Sequence, residues 1–288
     1  MLPTFVIGLR EGLEASLIVG IIAAFLLSQG RREALRQVWV GVAAAVALCL
    51  AIGIGLQVLS AELPQKQQEG LETVVGLFAV AMVTYMILWM RRHSREMKSH
   101  LEGAAAGALA TGSARALVVM AFLAVLREGF ETAVFLLATF QASGNATASA
   151  TGAVLGIAVA VVLGYAIYRG GAKINMARFF RATGLVLVIV AAGLVMTALH
   201  TAHEAGWLNA GQNQAVDLSS VVRPGSVVSS ILTGVLGLQP YPTVIEAVGW
   251  VVYAVPLLAL VCWPQRRRPA KPGPATRAAS VPSTVSAS

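Results

Sequence analysis

Seven long apolar stretches succeed one another along the chain, near residues 3–28, 38–60, 70–90, 116–140, 149–169, 182–202 and 244–263, with polar segments between them. Each is about long enough to cross the roughly 30 Å hydrocarbon core of a bilayer as a helix. Lipid admits only helices or closed barrels as spanning structures. The runs are continuous and lack the ten-residue alternation of a membrane strand, so the pattern predicts helices. The expected fold is an all-α integral membrane protein with seven transmembrane helices.

Composition agrees with that pattern. Of 288 residues, 57% are hydrophobic and 12% charged, against roughly 45–50% and about 25% in soluble domains. One soluble core could not cover so much apolar surface. The net charge of +8 suggests nucleic acid only until the charges are located. Seventeen of the 21 basic residues fall on alternate connecting segments: Arg31–Arg36, Arg91–Arg115, Arg169–Arg181 and the tail from Arg266. The positive-inside rule then places the N-terminus outside and the C-terminus in the cytoplasm. The cytoplasmic excess is the ordinary topogenic and anionic-lipid signal, and no nucleic-acid partner is expected. The outer side carries six acidic against two basic residues, a sign that concentrates cations. No basic segment precedes the first apolar run, so that run is expected to stay in the mature protein as a span. Cys49 and Cys262 lie inside apolar spans without ligand spacing and read as core thiols, neither near the charged positions.

The chain repeats itself. Gly8-Leu-Arg-Glu-Gly-Leu-Glu-Ala15 and Val125-Leu-Arg-Glu-Gly-Phe-Glu-Thr132 share five of eight residues. Each motif lies in the first helix of a three-span group, residues 1–92 and 116–202. Because three is odd, the second group is inserted upside-down. A 3+3 inverted repeat plus one additional helix at 244–263 follows, and such repeats place a substrate site near the midplane. Residues 93–115 read as a cytoplasmic linker and 203–243 as an outer loop, in which Val227–Leu238 is an interfacial or re-entrant candidate. Residues 264–288, rich in Pro, Ala, Ser and Arg, read as a disordered cytoplasmic tail.

A charge inside a span costs roughly 2.5–3.5 kcal/mol at its centre, so six in two matched sets demand a reason. Positions i and i+3, or i and i+4, share a helix face. Glu11 and Glu14 therefore project together with Arg10, as do Glu128 and Glu131 with Arg127. Each motif is expected to turn two carboxylates and one guanidinium into the bundle, giving a formal charge of −2 if the motifs meet. Carboxylate oxygens suit hard cations. The arginines keep the carboxylates ionised in the empty site, and Gly12 and Gly129 let a neighbouring helix approach. Plain buried ion pairs are the bland alternative, less fitting for two inverted copies.

The paired Arg-Glu-Gly-[Leu/Phe]-Glu motifs resemble those of the oxidase-dependent iron permease family, which includes fungal high-affinity iron permeases and bacterial Efe-type permeases. The resemblance covers about residues 1–263. It implies a seven-helix iron permease that takes ferric ion after oxidation at the outer face. By matching position, Glu11, Glu14, Glu128 and Glu131 would be iron ligands and Arg10 and Arg127 their charge partners. It further implies a cell-membrane location, the bacterial inner membrane, and a ferroxidase or extracytoplasmic iron-delivery partner. Iron is then a substrate, and no tightly bound cofactor is expected.

Glu69-Gly-Leu-Glu72 repeats the carboxylate spacing at the outer start of span 3; Glu72 is the stronger relay candidate, and helix-dipole preference is the alternative for both. His200, His203 and Glu204 at the outer end of span 6 could capture metal. They occupy the area of an acidic loop motif in fungal relatives but differ from it in residue type. Glu246 reads as a helix-start acid, and His93 and His100 as solvated. Two rival functions remain: transport of another cation such as manganese or lead, and a membrane metalloenzyme or redox subunit built on His200 and His203. No nucleophile–base set, phosphate loop or nucleotide motif occurs, so the chain is not expected to be an enzyme or a primary pump.

Overall fold

Each predicted apolar window becomes a helix, longer than the window at most ends. The computed structural model describes residues 1–28, 30, 32–93, 114–143, 146–169, 176–217 and 241–263. Its helices are α1 (Leu2–Ser28), α2 (Arg32–Glu62), α3 (Gln65–His93), α4 (Ala114–Ser143), α5 (Ala146–Tyr168), α6 (Met176–Glu204) and α7 (Val244–Cys262). The apolar window marks where lipid can be, whereas a helix's hydrogen-bond ladder continues into polar flanks; α2 therefore starts at Arg32 and α3 at Gln65. Among the described residues the only β pairing is an isolated bridge between Gln214 and Thr243. Most of the linker, the Val227–Leu238 segment, His100 and the tail lie outside the described residues.

Among the described residues five helices, α2, α3, α5, α6 and α7, are long and apolar enough to cross a membrane. The other two, α1 and α4, have the length at 27 and 30 residues, but each carries an Arg and two Glu in its interior. The all-helical chain thus sets its charged helices among apolar ones.

Packing explains the position of those two. α1 lies along α5, and α2 along α4; α1 also meets α4 and α6, α4 meets α3, and α3 and α7 pair with α6. Along α1 and α5 the contacts advance together, from Gly152 against Met1 and Thr4 to Gly164 against Ser16, so these two helices are parallel. Gly41 against Val118 and Gly129 against Cys49 likewise make α2 and α4 parallel. Between α1 and α4 the order reverses: Val6 and Ile7 share a cluster with Val134 and Phe135, while Ile22 and Leu26 cluster with Ala121.

Small residues permit these approaches, which matter because lipid tails give apolar helices no hydrophobic reason to associate. A Cβ on Gly156 would collide with the Phe5 carbonyl oxygen and lie 2.8 Å from the Leu9 nitrogen, and one on Gly12 would lie 2.9 Å from the Ala160 Cβ. At Gly55 a Cβ would meet nothing within 4 Å. Gly156→Ala is therefore expected to destabilise by about 1–3 kcal/mol, the usual cost of overpacking. Gly55→Ala should be neutral or slightly stabilising. Thermal unfolding of both variants in detergent checks this, and equal midpoints would refute the close-packing account.

The start of α7 is anchored beside the end of α6. Thr243 and Glu246 form a reciprocal capping box, and the backbone of Asn213 and Gly211 accepts from Val244 and Ile245 at 2.9 and 3.2 Å. The Trp207 indole packs on Gly70 of α3.

Candidate metal site

The charged side chains of the α1 motif are buried. Glu11 and Glu14 lie about 14–18 Å along α1 from its first residue, and Glu128 and Glu131 about 21–26 Å along α4, at 1.5 Å per residue. Because α1 and α4 are antiparallel, both sets reach the same depth. One ligand atom each from Glu11, Glu128 and Glu131 lies within 4.8 Å of the others. Carboxylate oxygens that hold one ion at ~2.0–2.2 Å stand no more than about 4.4 Å apart, so a small side-chain adjustment closes this triad on a cation.

Glu14 stands beside the triad and not in it. Its Oε1 is 3.3 Å from Arg10 Nε, while Arg10 Nη1 is 3.9 Å from Glu11 Oε1. Arg10, Glu11, Glu14 and Glu128 are all buried. Among the described residues neither oxygen of Glu11 has a hydrogen-bond partner. A buried carboxylate in that condition is costly, because desolvation is not repaid by donors. It calls for a cation or a proton.

The two motifs are not equivalent, contrary to the expectation that each turns its guanidinium inward. Arg127 pairs with Glu131 at 3.1 Å, but its side chain is 53% exposed against 2% for Arg10. Its guanidinium lies over the Trp89 ring, 5.7 Å from the centroid. The reason is packing: the Arg10 side of α1 is covered where α1 packs on α4, α5 and α6, while Arg127 lies at an exposed edge of α4 near the exposed Tyr85 of α3. A second correction concerns Cys49. It is buried in α2 with its sulfur facing the Leu126 carbonyl at 3.6 Å and Gly129 beside it, so it packs directly against the α4 motif.

Apolar layers close the site at both ends. Val6, Ile7, Val134, Phe135 and Ala138 lie toward the start of α1. Val19, Ala45 and Val125, followed by Ile22, Leu26, Val38 and Ala121, lie toward its end. Between these layers Glu11, Glu14 and Glu128 are buried, while Glu131 keeps 12% side-chain exposure.

A second polar group gathers where α3, α6 and α7 meet. His200 faces Glu246 Oε1 through Nδ1 at 3.0 Å and Glu204 Oε1 through Nε2 at 3.5 Å. Glu69 lies against Glu204. Glu72 accepts from Gln68 at 3.2 Å. His203 does not join: its Nδ1 meets the Leu208 carbonyl at 2.7 Å, because the chain turns back at Gly206 with φ +81°. Glu246 takes the place expected of His203, a role its capping position in the sequence gave no means to foresee. No group of three metal-type ligands within reach of one ion occurs here among the described residues.

Comparison with known proteins adds a family to this geometry. Residues 1–265 match the iron permease FTR1 family. Curated relatives named ferrous iron permease EfeU include those of Yersinia pestis, 45% identical over 92% of this chain and 95% of theirs, and Yersinia pseudotuberculosis, 46% identical over 91% and 92%. The protein of that name in Escherichia coli O157:H7 is 43% identical over 92% and 97%. These relatives are permeases, that is, transporters and not enzymes. No solved structure matches.

Proposed function

Because the chain belongs to the iron permease FTR1 family, we propose that it imports iron across the cell membrane through the Glu11, Glu128 and Glu131 triad, with Glu14 as a fourth, releasable ligand. The observation that carries this reading is the buried Glu11 carboxylate, neither oxygen hydrogen-bonded among the described residues, facing two carboxylates of the other motif. Seven spans are proposed, α1 and α4 included, with the N-terminus outside and the C-terminus in the cytoplasm. In support, charges in α1 and α4 face one another across the bundle interior at one depth, apart from Arg127.

The packing pattern supports the inverted repeat. Exchanging α1–α3 with α4–α6 turns the α1–α5 pair into α4–α2 and the α1–α6 pair into α4–α3, and all four occur. Alternating access then consists of opening one apolar layer at a time around the carboxylates. An inside-negative potential favours inward movement by about 2.3 kcal/mol per charge per 100 mV. The acidic outer side collects the ion, and Glu69, Glu72, Glu204 and His200 offer it a first set of polar contacts.

The ion is proposed to occupy the site as ferric iron, oxidised at the outer face by a ferroxidase or received from a delivery partner. Four carboxylates without thiolate or imidazole form a hard ligand set. The name of the relatives specifies ferrous iron, which in this reading is the form supplied before oxidation. Reconstitution into vesicles with an inside-negative potential tests both levels. Radiolabelled iron should accumulate, and a tenfold excess of manganese or lead should compete weakly. Supply as ferrous iron under anaerobic ascorbate should slow uptake strongly. Full anaerobic uptake would remove the ferric assignment alone, whereas no iron uptake in any form would remove the transport reading.

A further inference from the structure

We infer that Trp89 and Met90, consecutive residues near the end of α3, form a clamp that holds the arginines of both motifs away from the ion position. The Arg127 guanidinium lies over the Trp89 ring, and Arg10 Nη2 donates to Met90 Sδ at 2.7 Å. Adjacent helical residues point about 100° apart, so one turn of α3 reaches α4 on one side and α1 on the other. This rests on the reading of Glu11, Glu128 and Glu131 as the ion site.

The chemistry of the two holders gives them their function. A guanidinium beside four carboxylates is drawn toward the centre of negative charge, where it would occupy the cation's place. A carboxylate holder would restrain it but would cancel its charge and add a competing ligand. An aromatic face and a thioether attract a cation while carrying no charge. Arg10 Nη2 is thereby turned to Met90 of α3 while Nη1 stays 3.9 Å from Glu11 Oε1, and the Arg127 guanidinium is held over the Trp89 ring. On Arg10, Nε faces Glu14 while Nη2 is taken by Met90; on Arg127, Nε faces Glu131. Arg10 thus holds Glu14 beside the triad, and Arg127 holds Glu131 as one of its three members.

Trp89 and Met90 are positioning residues: they touch the arginines and not the ion. Met90→Leu keeps volume and removes the acceptor, and Met90→Gln restores an acceptor oxygen. Trp89→Leu removes the ring, and Trp89→Phe retains a weaker one. Iron uptake is measured over a range of iron concentrations, with the folded fraction followed by gel filtration in detergent. KM should rise about 3- to 10-fold in Met90→Leu and Trp89→Leu, the effect of losing one contact to a charge. The folded fraction should not change, and Met90→Gln and Trp89→Phe should return KM to within about twofold. In an Arg10→Lys background, Met90→Leu should add no further change. Parental KM in both Leu variants overturns the clamp, as does a loss confined to maximal rate and matched by less folded protein. Glu128→Gln, measured alongside, separates the two claims: if it transports fully, the ion site itself is wrong; if it fails while the Leu variants behave as parent, only the clamp is wrong.

Discussion

Glu11→Gln is expected to lower iron uptake at least about 100-fold while leaving the protein folded. Glutamine has the shape of glutamate and lacks its charge, and Glu11 has no hydrogen bond to lose among the described residues. Stability should therefore change little or improve, since a desolvated carboxylate with only a loose 3.9 Å approach to Arg10 disappears. Transport should fail because an ion in the triad would lose one of three carboxylates in a dry site, where a missing partner for a charge is worth about 3–5 kcal/mol, or 100-fold and more in affinity. Glu128→Gln should behave alike, being buried at the same depth. Radiolabelled uptake in iron-starved cells, normalised to folded protein, is the measurement. Retention of more than a tenth of parental uptake by both variants would end the account of the triad as the transport site.

The second large effect is on stability and falls unequally on the two motifs. Arg10→Met should cost about 3–5 kcal/mol, because it strands Glu11 and Glu14 without their cation in a buried site. Arg127→Met should cost less than about 1 kcal/mol, the usual value of an exposed pair. Adding Glu14→Gln to Arg10→Met removes a stranded charge and should recover at least half of the loss. Thermal unfolding in detergent compares the four proteins. Equal penalties for Arg10→Met and Arg127→Met would contradict the asymmetry, and no recovery in the double variant would contradict the ion-pair explanation.

That asymmetry shows where reading residues along the chain stops. The two motifs are nearly the same eight letters, and helical spacing gives both the same local geometry. What differs is their surroundings: the Arg10 side of α1 is covered, and Arg127 lies at an exposed edge of α4 near Tyr85. Spacing alone made Glu14 equal to Glu11, yet Arg10 draws Glu14 aside. Nor did spacing reveal Trp89 and Met90. They look like the apolar end of a span, and only the register of α3 against its neighbours brings them to the arginines. For the same reason Glu246, while keeping its expected capping role, also takes the place beside His200 expected of His203, whose ring meets a loop carbonyl.

By itself the sequence determined the helical class, the seven apolar segments, and the two charged turns that no lipid-facing helix would carry without cause. Those are local or compositional properties, set by hydrophobic length and by the cost of charge in hydrocarbon. Tertiary structure decided which carboxylates meet, which arginine is buried, and what holds each one. Such outcomes depend on helix register, and register is decided where glycines such as Gly12, Gly129 and Gly156 let one backbone close on another, contacts between residues far apart in the chain that no single segment encodes.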